Sequence, residues 1–445
     1  MKTILVLGAG LSASSLFRYL LNHLEKENWH LKIANKELDF LSDKYGNHPR
    51  IDLISLDASD AEERRALIAH VDIVISMLPP KFHPDVAKDC IDLRTNLITP
   101  SYVSKEMKAL HLQAKEKGVT IMNETGVDPG LDHMSAMKII DQIREKGATL
   151  TSFKSFCGGL IAPSNDGNTW HYKFTWNPRN VVLAGQGGVA AFRQNNELKY
   201  IPYTQLFKRT ERFNIEGHGD FDGYANRDSL KYLEVYDINE VKTIYRGTLR
   251  KPDFCQGWDV FVELGLTDDS YVLENSNKLT PRQLLNGFLP YEVEMSVEDK
   301  LKRFLRADRE HLFVLFEEIG FFNQDETITH EDSSPAWLLQ TLLQKAWKLN
   351  DNDRDMIVMY HEIEFVEDNI QKRIVSSMVS LGEDVTYTAM SNTVGLPIAI
   401  ITKLMLNGYS HPGVHIPVSS EIYKPVLNEL QEYGITFNEN EFPLT

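Results

Sequence analysis

The residue types best suited to chemistry gather in two short segments of the amino-terminal third. The first is Gly8-Ala9-Gly10-Leu11-Ser12-Ala13. In a strand-turn-helix setting each position has its own physical use. The first glycine permits a tight turn, the second lets backbone approach a pyrophosphate, and a small third residue lets helix and strand pack closely. The helix start then offers unpaired N–H groups and a favourable dipole to phosphates. Gly8, Gly10, Leu11, Ser12 and Ala13 are therefore expected to hold a dinucleotide, although small residues at such a turn also serve packing alone. The second segment is Asn123-Glu124-Thr125-Gly126-Val127-Asp128-Pro129-Gly130-Leu131-Asp132-His133. Gly126, Pro129 and Gly130 impose a turn. Asp132 is expected to cap the next helix and His133 to be structural at its start. Asp128 directly follows a strand of the sheet, a position that favours function.

Coenzyme choice is read at the end of the second strand, Ile33-Ala34-Asn35-Lys36-Glu37. An acidic residue there bonds the ribose 2′-hydroxyl of NAD, and a basic one tolerates the 2′-phosphate of NADP. Asn35 is neutral and Lys36 basic, which favours NADP, while Glu37 keeps NAD as the alternative. Lys36 as a plain solvated lysine is an equally weighted reading. Ligands of parallel sheets sit outside the carboxyl ends of the strands. Asp57 is thus expected on the adenine side and Ser76, in Ser76-Met77-Leu78-Pro79-Pro80, on the nicotinamide side.

These residues need a scaffold, and the apolar pattern supplies one. Runs at 3–7, 30–34, 52–56, 72–78, 96–98 and 119–122 read as strands. Between them lie amphipathic stretches such as 12–27, where Leu16, Leu20 and Leu24 share a helical face. Such alternation predicts an α/β fold with a doubly wound parallel sheet of the Rossmann type. A helix is expected over 132–145, stopped by Gly147. Residues 149–265 look β-like, with runs at 151–156, 172–176 and 233–236. Helices are expected at 281–288, 297–306, 311–319 and 336–348, paired strands at 355–365 and 373–381, and a last helix at 398–406.

Composition narrows the function classes. A chain of 445 residues, 42% hydrophobic, can bury a large core in two or three domains. Its net charge of -16, from 63 acidic and 47 basic residues, argues against a nucleic-acid or anionic-membrane surface. An anionic ligand must then be met by a few placed cations. Cys90, Cys157 and Cys255 are dispersed and odd in number, which supports neither a disulfide framework nor a zinc knuckle. The first apolar run is too short for a signal peptide, and no stretch of about 18 apolar residues is read as a membrane span. A cytoplasmic location, with no membrane and no nucleic-acid partner, is expected. There is no Gly-x-Ser-x-Gly elbow, no His-Glu-x-x-His pair and no phosphate-binding Gly-Lys-Ser/Thr loop. His361-Glu362 lacks a second histidine at the required spacing, so no metal is expected.

Gly126-Val127-Asp128-Pro129-Gly130-Leu131-Asp132-His133 resembles the signature of the saccharopine dehydrogenases of the glutamate-forming type, or saccharopine reductases. Ser155-Phe156-Cys157-Gly158-Gly159-Leu160-Ile161-Ala162-Pro163 and Tyr172-Lys173-Phe174-Thr175-Trp176 extend the resemblance. So do Asn226-Arg227-Asp228-Ser229, Tyr245-Arg246-Gly247-Thr248-Leu249-Arg250, Arg354-Asp355-Met356-Ile357-Val358 and Thr393-Val394-Gly395-Leu396-Pro397. The matches run in order over nearly the whole chain. The sequence departs from the family around 165–171 and at Asn35, where a basic or small residue is more usual.

The resemblance implies reversible NAD(P)-dependent conversion of saccharopine and water to L-glutamate and L-2-aminoadipate 6-semialdehyde, in lysine metabolism. It implies a Rossmann domain of residues 1–130 with about 393–445 and an α/β substrate domain of 131–265 with about 352–392. A helical domain of 266–351 adjoins them, and the family's substrate lies between the first two. Substrate contacts carry over to Ser101, Tyr102, Asp128, Cys157, Gly158, Arg227, Arg246, Gly247 and Thr248. Pro129, Gly130 and Trp176 carry over to the coenzyme. The family often forms homodimers, and the resemblance leaves the oligomeric state open.

The residue types suit that chemistry. Saccharopine has three carboxylates, and the planar fork of an arginine binds a carboxylate bidentately. Arg227 and Arg246 meet that need. The secondary amine must lose a proton before hydride leaves, which calls for a general base. Asp128 could serve if partly desolvated, and Tyr102 could orient a proton or water. Cys157 reads as a small residue lining the site, since no covalent intermediate is required. Two alternatives stay open: a related enzyme of another amino acid–amine conjugate, such as a carboxylated polyamine (carboxynorspermidine-like), and a non-catalytic dinucleotide-binding protein.

Overall fold

The computed structural model describes residues 1–444. The chain begins β1 (Lys2–Leu7), α1 (Ser14–His23), β2 (Trp29–Asn35), α2 (Asp39–Tyr45), β3 (Ile51–Ser55) and α3 (Ala61–Ile68). It continues β4 (Ile73–Ser76), α4 (His83–Leu93), β5 (Asn96–Ile98), α5 (Lys105–Ala109), α6 (His111–Lys117), β6 (Thr120–Met122) and α7 (Leu131–Glu145). Next come β7 (Thr149–Ile161), α8 (Pro178–Val182), β8 (Val189–Gln194), β9 (Glu197–Pro202) and α9 (Tyr203–Leu206). Then follow β10 (Thr210–Ile215), β11 (Gly219–Ala225), α10 (Lys231–Val235), β12 (Thr243–Arg250) and α11 (Phe254–Leu264). Four further helices are α12 (Pro281–Phe288), α13 (Val297–Arg309), α14 (Phe313–Ile319) and α15 (Pro335–Ala346). The chain closes with β13 (Asp355–Glu367), β14 (Ile370–Leu381), α16 (Ala389–Leu406), β15 (Gly413–His415), α17 (Ser420–Leu430) and β16 (Asn438–Pro443).

Two compact units result, one of Met1–Thr149 with Met378–Glu439, the other of Leu150–Ser377 with 440–444. The first holds a seven-stranded sheet in the order β15-β6-β5-β4-β1-β2-β3. Its strand pairs are parallel. The central strands are sealed on both faces: Ile4, Leu5, Val6 and Leu7 are fully buried, as are Ile73, Val74 and Ile75. Leu16, Leu20 and Leu24 press the face of α1 inward. Because β1 pairs with β2 on one side and β4 on the other, the chain's direction of progress reverses there. A crevice for ligands opens at the carboxyl ends of such strands.

The second unit carries a larger sheet whose main path is β10-β11-β12-β7-β13-β14-β16, with the β8–β9 hairpin attached through β12. Its helices include α11 through α15. Here several sequence expectations fail. Residues 172–176 form no strand; Tyr172 and Phe174 instead turn alternate rings into a cluster with Trp347, and the Phe174 N–H bonds the Trp347 carbonyl at 2.9 Å. That inward alternation imitates a strand. Residues 233–235 lie in α10 rather than in a strand, with Tyr232 and Tyr236 stacked one turn apart at 5.4 Å. The helix α11 interrupts the stretch read as β-like.

The helix expected to be the last, α16, begins at Ala389, well before 398, because Pro397 sits inside it rather than at its start, and α17 follows it. Thr388 caps it by accepting from the Ser391 N–H at 2.9 Å. By length and composition α16 is apolar enough to cross a membrane, contrary to the expectation that no such stretch exists. Yet 83% of it is buried within the protein, so its apolarity is that of a core helix.

Candidate active site

The glycine turn leaves β1 with Gly8 at φ +92°, where its N–H bonds the Ala34 carbonyl at 2.9 Å. A Cβ there would stand 3.2 Å from the Met77 carbonyl, so both backbone and space demand glycine. Gly10 differs. It is extended and exposed, and a Cβ would meet nothing within 4 Å. The turn Leu11–Ala13 that follows has no side-chain cap, and its Ala13 N–H bonds the Gly10 carbonyl at 2.9 Å. This is a cradle of the kind a pyrophosphate fits. Leu11 is exposed, Ser12 half-buried, and Ala13 fully buried at the root of α1.

Around the turn, Asn35 accepts from the Ala9 N–H at 3.2 Å and donates to the Glu37 carbonyl at 2.7 Å. It braces the end of β2 against the glycine loop. The exposed Lys36 ammonium pairs with Asp57 at 3.0 Å. The Ser59 hydroxyl and N–H, then Lys36, hold the Asp57 carboxyl well below the usual carboxylate range. Gly8, Gly10, Asn35, Lys36 and Asp57 thus meet at the carboxyl ends of β1, β2 and β3.

At the ends of the next strands lies a residue that sequence reading missed. His83 opens α4 and is almost wholly buried. Its Nδ1 is 3.0 Å from Ser76 Oγ and its Nε2 is 2.8 Å from Ser101 Oγ. Burial pushes its pKa down to about 4, so the ring is neutral near pH 7. Only a lone histidine before a proline marked it in the sequence, and that pattern signals nothing by itself.

Tyr102 and Asp128 come together: the phenol donates to Asp128 Oδ1 at 3.2 Å, and both side chains are half-buried. The loop that carries Asp128 is closed by Gly126 N–H to the Pro129 carbonyl at 3.0 Å and Leu131 N–H to the Gly126 carbonyl at 2.8 Å. The Asp128–Pro129 bond is cis. Gly130 has φ +147°, and a Cβ there would fall 2.2 Å from the Gly126 carbonyl oxygen. Pro129 and Gly130 are buried within this turn.

Asp132 does not cap the helix from outside. The N-cap is Gly130, and Asp132, in the first turn, accepts the Gly130 N–H at 2.6 Å from a buried position. His133 Nε2 lies 2.8 Å from Glu124, whose other oxygen accepts the Val103 N–H at 3.0 Å. Glu124 therefore ties the Tyr102 loop to the Asp128 loop. It was not singled out from sequence, because a buried glutamate at φ +55° looks like any other before the fold is known.

In the second unit, β12 pairs in parallel with β7, setting Thr248 beside Cys157 and Arg246 beside Ser155. The two-residue period puts Arg246, Thr248 and Arg250 on one face with Cys157. Arg246 is buried, its guanidinium 4.2 Å from the Tyr232 ring centre. Cys157 is a buried free thiol. The Cβ positions of Gly158 and Gly247 are closed, by the Leu249 carbonyl at 2.4 Å and the Phe156 ring at 2.2 Å, so these two offer a ligand only backbone. Arg227 is exposed at φ +50° in the loop after β11, its carbonyl accepting from the Ala191 N–H. Trp176 is half-buried in the irregular segment before α8.

Arg250 closes the Tyr245–Arg250 motif, and no role was expected of it from sequence. Only 6% exposed, it lies 5.1 and 5.2 Å from the Tyr172 and Phe254 rings. It donates to the Leu249 carbonyl, its Nε meets no acceptor, and it forms no ion pair among the described residues. A buried guanidinium without a carboxylate is costly unless a ligand supplies one. Among the described residues, no three His, Cys, Asp or Glu side chains are grouped to hold a metal ion.

Comparison with known proteins bears on both units. Residues 4–122 match the family description "Saccharopine dehydrogenase NADP binding domain", and 126–435 match "Saccharopine dehydrogenase C-terminal domain". The chain belongs to the saccharopine dehydrogenase family. Saccharopine dehydrogenase [NADP(+), L-glutamate-forming] of Saccharomyces cerevisiae is 34% identical over 87% of this chain and 88% of its own. Alpha-aminoadipic semialdehyde synthase of Arabidopsis thaliana is 33% identical over 94% of this chain. The chain spans only 40% of that longer relative. Among solved structures, the apo yeast saccharopine dehydrogenase (L-Glu forming) superposes with a TM-score of 0.88 at 30% identity, covering 99% of this chain and 100% of that one. Within the family's two domains, the glycine turn, Asn35, Lys36, Asp57 and Ser76 fall in the NADP binding part. Asp128, Cys157, Arg227, Arg246 and Arg250 fall in the other.

Proposed function

We propose that this chain is an NADP-dependent oxidoreductase of the CH–NH class that converts saccharopine and water to L-glutamate and L-2-aminoadipate 6-semialdehyde, reversibly, in lysine metabolism. The observation that carries the reading is the correspondence with the yeast enzyme over 88% of that enzyme's length. The family motifs hold Asp128, Pro129, Gly130, Cys157, Gly158, Trp176, Arg227, Arg246, Gly247 and Thr248, so the reading does not rest on a coenzyme fold alone.

Each residue has work that its geometry supports. The uncapped turn after Gly10 receives the pyrophosphate, and Lys36 faces the 2′-phosphate while Asp57 holds its ammonium in place. NADP, when bound, accepts hydride from the substrate carbon beside the secondary amine. Asp128 takes the proton from that amine, and the Tyr102 phenol orients the carboxylate through their hydrogen bond. Water then adds to the imine carbon, the C–N bond breaks, and glutamate leaves as the amine. Arg227, Arg246 and Arg250 receive the three carboxylates, which supplies the counter-charge that Arg250 lacks in the protein. Cys157 and Thr248 line the same face as small side chains. Three free, buried cysteines suit a reducing compartment such as the cytoplasm.

The assignment is tested by truncating the exposed arginine. Arg227→Ala should raise the KM for saccharopine about tenfold or more and leave NADPH affinity within about twofold. Loss of NADPH binding with an unchanged KM would overturn the role given to Arg227. Arg250→Lys keeps the charge but loses the fork, and should also raise KM.

A further inference from the structure

Both peptide groups that flank Tyr102 are bonded to one residue. The Glu124 N–H donates to the Ser101 carbonyl at 3.1 Å, and Glu124 Oε1 accepts the Val103 N–H at 3.0 Å. The two segments lie side by side because β5 and β6, which they follow, pair in parallel. Glu124 Oε2 lies 2.8 Å from His133 Nε2, in the first turn of α7. That turn grips the loop of Asp128. The Asp132 N–H donates to the Val127 carbonyl and the His133 N–H to the Gly130 carbonyl, each at 3.0 Å, while Asp132 Oδ1 accepts the Gly130 N–H at 2.6 Å. A continuous path of bonds thus runs from the backbone of Tyr102 through Glu124 and His133 to the backbone around Asp128. The Tyr102 phenol closes it by donating to Asp128 Oδ1 at 3.2 Å.

Glu124 is 2% exposed and His133 fully buried, whereas Tyr102 and Asp128 are half-buried. The supports are sealed, and the pair they support is reachable. Glu124 also stands at φ +55°, a backbone conformation that glycine adopts at less cost. What glutamate adds there is a carboxylate with two oxygens, each spent on a different segment. We propose that Glu124, backed by His133, is a positioning residue for the reaction, its carboxylate holding the Tyr102 phenol on the Asp128 carboxylate. The inference rests on the proposed role of Asp128 as the base that takes the amine proton. A base works only when deprotonated, so its protonation sets the acid limb of the pH profile. Losing the phenol's hydrogen bond favours the protonated carboxyl and moves that limb up in pH. Losing the Glu124 charge alone favours the ionised form and moves the limb down. The two effects have opposite signs.

The test follows saccharopine oxidation by the full chain across pH. Glu124→Ala should lower kcat about tenfold or more, leave the NADPH Kd within about twofold and move the acid limb up by about half a pH unit or more. Glu124→Gln keeps an oxygen for the Val103 N–H and an amide for His133, and should restore most of the lost kcat without the upward shift. Tyr102→Phe should move the limb up by itself, and adding Glu124→Ala to it should move the limb no further. An unmoved or lowered limb in Glu124→Ala would overturn the proposal, since it would mark a purely structural or purely electrostatic role. So would a kcat loss from Glu124→Ala that persists in full in the Tyr102→Phe background. If Glu124→Ala does not fold, Glu124→Asp decides: it keeps the charge but is one methylene too short to reach both segments, so the limb should again move up. An unmoved limb in Glu124→Asp would overturn the proposal equally. A native chain that binds NADPH but does not oxidise saccharopine would sink the proposed function and this inference with it. Normal native turnover with an unmoved limb in the variants would sink only the positioning role.

Discussion

Gly8 and Gly10 look alike in the sequence and do different things. Gly8 is held at φ +92° against the Met77 carbonyl, whereas a side chain on Gly10 would point into open space. Gly8→Ala should therefore cost about 1–2 kcal/mol of stability. Gly10→Ala should change stability by less than about 0.5 kcal/mol yet weaken NADPH binding, because its methyl enters the cradle. Denaturant unfolding and NADPH titration of the two variants separate these effects; the reverse pattern would contradict the assignment. His83 makes a second residue-scale prediction. Its pKa is about 4 in the fold against 6.5 in the unfolded chain, so between those values the unfolded state binds a proton that the folded state refuses. The stability this lends is complete above about pH 6.5 and is lost as pH falls towards 4, by up to about 3 kcal/mol. The pH dependence of unfolding should be correspondingly shallower in His83→Phe.

The elements that hold the glycine turn depend on a close helix pair. Gly395 of α16 lies against α1 so tightly that a Cβ would stand 2.5 Å from the Leu16 nitrogen. Ser15 Oγ and Ser391 Oγ meet across the same contact at 2.6 Å. Gly395→Ala should therefore destabilise by about 1–3 kcal/mol through overpacking, and Leu16→Ala by about 2–5 kcal/mol through a cavity. Thermal unfolding checks both. Elements with a local signature were legible in the sequence. The helix α12 is an instance: Thr280 forms a capping box with Gln283, and Pro281 follows it. The central strands were equally plain, since both their faces are buried. What stayed hidden was set by tertiary packing. The three-residue β15 has no pattern of its own and exists because Gly413, Val414 and His415 pair with β6. The start of α16 was masked by Pro397, and a helix buried on nearly every side shows no amphipathic period.

At the scale of the molecule, the proposed function has the acidic chain meet anionic ligands through local devices rather than a broad field. The devices are an uncapped turn in one unit and a buried pair of arginines on β12 in the other. The reaction class was legible because the motif residues recur in order along the chain. The buried bonds that support them were not, since Glu124–His133 and Ser76–His83–Ser101 join positions whose proximity only the fold creates. NADPH at a hundred times its Kd should stabilise its unit by about 2.7 kcal/mol. Hydrogen-exchange protection should then concentrate in Met1–Thr149 and Met378–Glu439. The most direct test of saccharopine oxidoreduction mixes purified protein with L-glutamate, L-2-aminoadipate 6-semialdehyde and NADPH while coenzyme absorbance is followed, with saccharopine and NADP+ as the reverse assay. Absorbance should fall only when both amino-acid partners are present, and should rise in the reverse assay. Unchanged absorbance in both directions, with NADPH shown to bind, would contradict the proposed reaction.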